Sequence, residues 1–110
     1  MKINVVFMEP AREFIESLPE KARKKVVYNI NRVSNGEIDN ELFKKLGDTD
    51  IWEFRTLFNG IKYRLFAFWD TEQNAIVVTT HGIVKKTQKT PRKEIERANI
   101  LRTEYYNDKD

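Results

Sequence analysis

The residues with the most chemical potential are cations gathered around a hairpin. Asn59-Gly60 separates two runs that alternate with a period of two, and both residues accept the positive φ of a two-residue I′ turn. Counting the register outward from that turn sets Leu57 against Lys62, Thr56 against Tyr63 and Arg55 against Arg64. Like charges directly opposite destabilise a strand pair, so an anion is expected between the two arginines. Glu53, two residues before Arg55 on the same face and diagonal to Arg64, can supply it as an internal Arg–Glu–Arg bridge. A bound phosphate gripped by two guanidinium forks can supply it equally well. From the residues alone both readings stand.

His81 is the single histidine and the side chain whose ordinary pKa lies nearest neutrality. It reads as a general base or as a hydrogen-bonded structural residue on a strand. The sequence has no cysteine, which removes disulfides, thiolate metal sites and a cysteine nucleophile. It also has no HxxxH pair, carboxylate cluster or glycine-rich phosphate loop. No metal and no cofactor is expected. Residues 1–80 hold 12 Lys/Arg and 12 Asp/Glu, whereas residues 81–110 hold 8 and 5, so the net charge of +3 is carried by the C-terminal segment. Lys85, Lys86, Lys89, Arg92 and Lys93 follow one another with no acid between them. Such a run fits a polyanion through counterion release and fits a merely solvated loop as well.

These side chains need a scaffold. Residues 2–8 read as a first strand, expected at the centre of the sheet. Pro10 opens a short helix with Phe14, Ile15 and Leu18 on one face. Ser17-Leu18-Pro19-Glu20 has the pattern of a capping box for a second helix, whose stripe is Ala22, Val26, Ile30 and Val33 and whose stop is Asn35-Gly36. Residues 38–46 read as a connector with one helical turn. Two hairpin strands follow: Trp52, Phe54, Tyr63, Leu65, Ala67 and Trp69 face the core, and Glu53, Arg55, Lys62, Arg64, Phe66 and Phe68 face the other way. Phe66 and Phe68 on that second face suit base stacking or burial under the last helix. A turn at 70–74 leads to a third strand over 75–84, rich in β-branched residues. Thr90-Pro91 caps a last helix from Arg92 to about Tyr106, with 107–110 frayed. The order β, α, α, β, β, β, α gives an α+β domain over residues 1–110: an N-terminal strand and helical hairpin, then a mainly antiparallel sheet with a C-terminal helix, the helices expected on one face. No segment approaches the roughly 20 apolar residues of a membrane helix, and a cytoplasmic protein is expected.

Taken together, Trp52-Glu53-Phe54-Arg55, Tyr63-Arg64, the stretch from His81-Gly82 through Lys85-Lys86-Thr87 to Lys89-Thr90-Pro91, and Glu94-Ile95-Glu96-Arg97-Ala98 resemble the RelE/ParE superfamily of toxins, in its phage-derived Gp49-like, HigB-type branch. The resemblance implies a microbial-RNase-like fold, a helix-turn-helix antitoxin as partner, and ribosome-dependent endonucleolytic cleavage of mRNA. With it, Arg55 and Arg64 are expected at the scissile phosphate, and Lys85 and Lys86 in phosphate binding or acid–base help. His81 or Glu53 competes as base, while Lys89, Arg92 and Lys93 bind RNA or the ribosome. A gyrase inhibitor of the ParE type, or a non-catalytic RNA- or protein-binding module, would keep the same fold.

Overall fold

The structure, a computed structural model, describes residues 2–109. Strand β1 (Asn4–Phe7) leads into helices α1 (Glu9–Ser17) and α2 (Glu20–Ser34), followed by β2 (Phe43–Lys45), β3 (Trp52–Phe58), β4 (Ile61–Trp69), β5 (Ile76–Lys85) and α3 (Arg92–Asp108). The five strands form one sheet in the order β1-β5-β4-β3-β2, antiparallel except for the parallel pair β1–β5. This is the expected α+β architecture, with several local corrections.

The first strand lies at an edge and not at the centre. Reaching a parallel neighbour requires a crossover, which α1 and α2 provide, and the long β3–β4–β5 meander fills the middle. Residues 43–45 form a strand against β3 where a helical turn was expected, with Phe43 stacked on Trp52 at 4.8 Å and tilted against Phe54 at 4.6 Å. The capping box does not form either: Ser17 Oγ donates back to the Phe14 carbonyl, and α2 starts after Pro19 without a side-chain cap.

A further correction concerns layers. Helices α1 and α2 cover one face, where Val26, Ile30 and Val33 pack with Phe43, Phe54, Leu65 and Ala67. Helix α3 covers the opposite face and buries Phe66 and Phe68 with Ile51, Val78 and Ala98. Burial by the last helix is therefore the fate of both phenylalanines; each gains about 1.5–3 kcal/mol of transfer free energy there. Helix α3 continues through Asp108, so the expected fraying at 107–108 does not occur, and Asp110 lies outside the described residues.

One irregularity determines what faces α3. Phe66 pairs with His81 and Ala67 with Thr79, which leaves Thr80 as an extra residue in β5. A bulge of this kind reverses the parity of everything beyond it. His81, Ile83 and Lys85 consequently join Phe66, Arg64 and Lys62 on the α3 face, and Gly82 turns toward α1.

Candidate functional site

The expected hairpin register is the observed one, with Asn59 and Gly60 at φ 50° and 73° and Arg55 opposite Arg64. On the α3 face the pairings make three rows across the central strands: Glu53–Phe66–His81, Arg55–Arg64–Ile83 and Leu57–Lys62–Lys85. Lys44 of β2 pairs with Glu53 from the other side. A single buried carboxylate therefore sits among several cations.

Glu53 Oε1 lies 3.5 Å from Arg55 Nε and 3.6 Å from Arg64 Nε. These are ion-pair distances without hydrogen-bond geometry, and both Nε–H groups are buried with no acceptor. The remaining contacts are local. Arg55 donates to the Asn40 carbonyl at 3.0 Å, Arg64 donates to the Tyr63 carbonyl at 3.1 Å, and Thr90 Oγ1 donates to Glu53 Oε2 at 3.2 Å. The internal Arg–Glu–Arg bridge is thus present, but it leaves donors unspent. Buried donors without acceptors are uncommon and call for an explanation. Burial, with the neighbouring Arg55, also pushes the Arg64 guanidinium below its ordinary pKa, against the pull of Glu53.

A groove of about 1230 Å³ runs between the β2–β3 loop and the first half of α3. Glu53, Arg55, Lys85 and Thr90 line it, along with Lys44, Lys45, Lys89 and Arg92. Arg64, 5 % exposed against 28 % for Arg55, contributes its charge from behind. Lys85 is pushed below its ordinary 10.5 by burial and by Arg64, Arg55 and Lys62, with Glu53 opposing. The neighbours that depress it are these three cations across the sheet.

The other expected site residues divide by position. Lys86, just beyond the end of β5, does not line the groove; it lines an adjoining depression of about 550 Å³ beside Gly60 and Ile61, which Lys85 lines as well. Lys89 and Arg92 stand on the rim, Arg92 within 3.6 Å of Glu96, while Lys93 is exposed on α3 and does not line the groove.

His81 is not brought into the groove. It is 1 % exposed, stacked on Phe66 at 4.9 Å, with Nε2 3.0 Å from Glu94 Oε1 and Nδ1 3.0 Å from Thr80 Oγ1. Burial holds its pKa below 6.5 despite Glu94, which favours the neutral ring. A neutral ring has one donor and one acceptor. With Nε2–H donating to Glu94, the Nδ1 lone pair faces the Thr80 hydroxyl, whose one proton is shared between Nδ1 and the Phe66 carbonyl 3.2 Å away. Both ring nitrogens have partners, so of the two readings of His81 these contacts match the hydrogen-bonded one, a link between β5 and α3.

Sequence reasoning missed the bulge at Thr80, the Thr90–Glu53 contact and the place of Lys62 in the cluster. Lys62 was legible, since the hairpin register puts it on the Arg face. The bulge was not, because nothing in the run from Ile76 to Thr80 marks one residue as extra.

Among the described residues no group of three or more His, Asp or Glu is placed to hold a metal ion, and no helix is long and apolar enough to cross a membrane.

The family model for phage-derived Gp49-like proteins matches residues 13–103. No curated protein matches the chain. Among solved structures, the free E. coli toxin RelE, as an arginine-to-alanine double mutant, aligns with a TM-score of 0.62 at 19 % identity, covering 93 % of this chain and 98 % of that one. The isolated E. coli RelE toxin in its P21 form gives 0.59 at 16 % identity, over 86 % and 97 % of the two chains. The toxin–antitoxin complex RelBE2 from Mycobacterium tuberculosis contributes a chain with a TM-score of 0.55 and 22 % identity, over 77 % and 100 %. At these identities the likeness establishes a shared RelE fold.

Proposed function

The chain belongs to the phage-derived Gp49-like family, and from that premise we propose that it is the toxin of a toxin–antitoxin pair, a metal-independent endoribonuclease that cuts mRNA on the ribosome. The observation that carries this reading is the pair of adjacent arginines that share one buried carboxylate, with Arg55 lining a groove rich in lysines and Arg64 directly behind it. An RNA phosphate in the groove meets Arg55, with the charge of Arg64 behind it.

In the reaction the 2′-hydroxyl of a nucleotide loses its proton and attacks the adjacent phosphorus. The new O2′–P bond forms as the P–O5′ bond breaks, and the departing 5′-oxygen takes up a proton. Arg55, which reaches the groove, binds the non-bridging oxygens, and Arg64 adds positive charge from beneath, where the pentacoordinate intermediate gathers negative charge. Lys85, with its pKa lowered, accepts or donates the proton. Lys89 and Arg92 hold the flanking backbone. Glu53 offsets the mutual repulsion of the cations.

With His81 locked away, the site has many cations and no free imidazole. Chemistry then depends on a substrate held in an in-line pose, which the ribosome supplies by fixing a codon. The RelBE2 chain with which this one shares its fold is half of a toxin–antitoxin complex, and that supports an antitoxin partner here. A helix-turn-helix protein is the form we propose, in a cytoplasmic setting. The test is mRNA half-life after the chain is induced without its antitoxin. Rapid decay of translated messages is expected. Growth arrest with intact mRNA and accumulating gyrase–DNA breaks would overturn the nuclease in favour of gyrase inhibition.

A further inference from the structure

Helix α3 starts after Pro91 with no side-chain cap, although a threonine stands one residue earlier. A hydroxyl beside a helix start ordinarily accepts from one of the first free N–H groups. The Thr90 hydroxyl is spent on the sheet instead, where it donates to Glu53 Oε2 at 3.2 Å. Soon after it in the chain, Glu94 Oε1 lies 3.0 Å from His81 Nε2. Glu53 and His81 are the two ends of one row across the central strands, with Phe66 between them and stacked on His81 at 4.9 Å. Two polar links therefore fix the start of α3 along that row.

What the Thr90 link does follows from carboxylate geometry. Oε1 of buried Glu53 lies 3.5 Å from Arg55 Nε and 3.6 Å from Arg64 Nε, in neither case as a hydrogen bond. Arg55 Nη1 donates elsewhere, to the Asn40 carbonyl at 3.0 Å. The strong form of an arginine–carboxylate pair is a fork of two parallel N–H···O bonds, which needs both carboxylate oxygens turned to one guanidinium. Low local dielectric strengthens each of those bonds, so an unrestrained buried Glu53 is drawn toward such a fork. Arg55 locked into it would spend on Glu53 the donors that a phosphate needs. With Oε2 committed to Thr90, only Oε1 is left for the arginines, and Arg55 keeps a single ion-pair contact beside the groove.

We propose that Thr90 is a positioning residue for RNA cleavage: by holding Glu53 Oε2 it prevents a Glu53–Arg55 fork and leaves Arg55 available to the scissile phosphate. The His81–Glu94 link keeps the start of α3, and Thr90 with it, in register with Glu53. Thr90 itself touches no reacting atom and acts through Glu53. The inference rests on the role proposed for Arg55 and adds the side chain that keeps Arg55 free for it.

The experiment compares the wild type with Thr90→Val, which keeps the shape and loses the hydroxyl, and Thr90→Ser, which keeps the hydroxyl. Single-turnover cleavage on message-programmed ribosomes, ribosome affinity and melting are measured beside the arginine Nε–H signals in nitrogen-15 NMR spectra of the free protein. Thr90→Val should slow the saturated cleavage rate by about 10- to 100-fold, as a misplaced catalytic group does. Its ribosome affinity should hold, because Lys89 and Arg92 are untouched. Its melting temperature should hold as well, since a Glu53–Arg55 fork replaces the lost bond, and the Arg55 Nε–H signal should move downfield as it gains an acceptor. Thr90→Ser should match the wild type in every measurement. A wild-type rate in Thr90→Val, a loss that Thr90→Ser shares, or a loss that tracks melting would overturn the positioning role and leave the nuclease reading intact. A wild type that cuts no message would overturn the nuclease reading. The Nε–H signals then decide the rest: a downfield shift in Thr90→Val alone keeps Thr90 as the side chain that frees Arg55 for an anion, and unmoved signals overturn that too.

Discussion

Among the single residues, some cations touch substrate and others hold the fold. Arg55 is partly exposed and reaches the groove, whereas Arg64 is covered and shares buried Glu53 with it. Arg55→Ala should therefore lower cleavage by about 100-fold or more, the loss typical of a transition-state donor, while melting stays within about 1 kcal/mol because repulsion with Arg64 is relieved. Arg64→Ala should lower both, with up to about 3 kcal/mol of stability lost as a buried carboxylate gives up a partner. Melting and single-turnover cleavage measured side by side check this, and equal unfolding by both variants would return the pair to a purely structural role. Lys85 and Lys86 should separate in the same way. Lys85→Met should abolish the rise in rate with pH, which in the wild type comes below the ordinary lysine value of 10.5, because burial and three cations depress its pKa. A lysine with a depressed pKa destabilises the fold while charged, and the penalty disappears as pH rises to 10.5. At neutral pH Lys85→Met should accordingly melt no lower than wild type. Lys86→Met, outside the groove that Lys85 lines, should keep the pH profile.

Among the elements, α3 is held to the sheet at both ends. At its start Thr90 donates to Glu53 and His81 donates to Glu94. At its end Tyr105 and Lys109 donate to Asp70 at 2.6 and 2.8 Å, while Glu72 and Gln73 N–H groups cap the other carboxylate oxygen. Burial raises the Asp70 pKa, but these donors outweigh it and bring the group from 3.8 to about 2. Stability from this clamp is present above pH 3.8 and is lost as pH falls through about 2. Asp70→Asn should cost on the order of 1–2 kcal/mol at neutral pH and flatten the acid limb of a melting-versus-pH curve; an unchanged limb would mean that the clamp carries no stability. Helix α1 depends on Gly82, where any Cβ would collide with the Phe14 ring. Gly82→Ala should cost about 1–3 kcal/mol from overpacking, read by denaturant unfolding, and a neutral effect would mean that α1 shifts without penalty.

For the molecule as a whole, what was legible in the sequence followed from short-range rules. The Asn59-Gly60 turn fixes a two-residue connection, so the Arg55–Arg64 register could be counted without a structure. The helical stripes and the division of Trp52, Phe54, Tyr63 and Leu65 from Glu53, Arg55 and Arg64 were legible for the same reason. What was not legible is decided by long-range packing. Period-two alternation reports two faces without saying what covers each, so α3 was expected on the wrong side and β1 in the wrong place. The bulge at Thr80 then decided that Lys85, and not Lys86, joins the arginines. The function proposed for the whole chain is a cation site that cuts mRNA held by the ribosome. A translation reaction containing the purified chain addresses it, with 5′ ends mapped on a translating message and on the same RNA without ribosomes. New ends confined to the translated message, and absent with Arg55→Ala, are the expected result. Equal cutting of naked and translated RNA would contradict the ribosome dependence, and no new ends in either would contradict the nuclease itself.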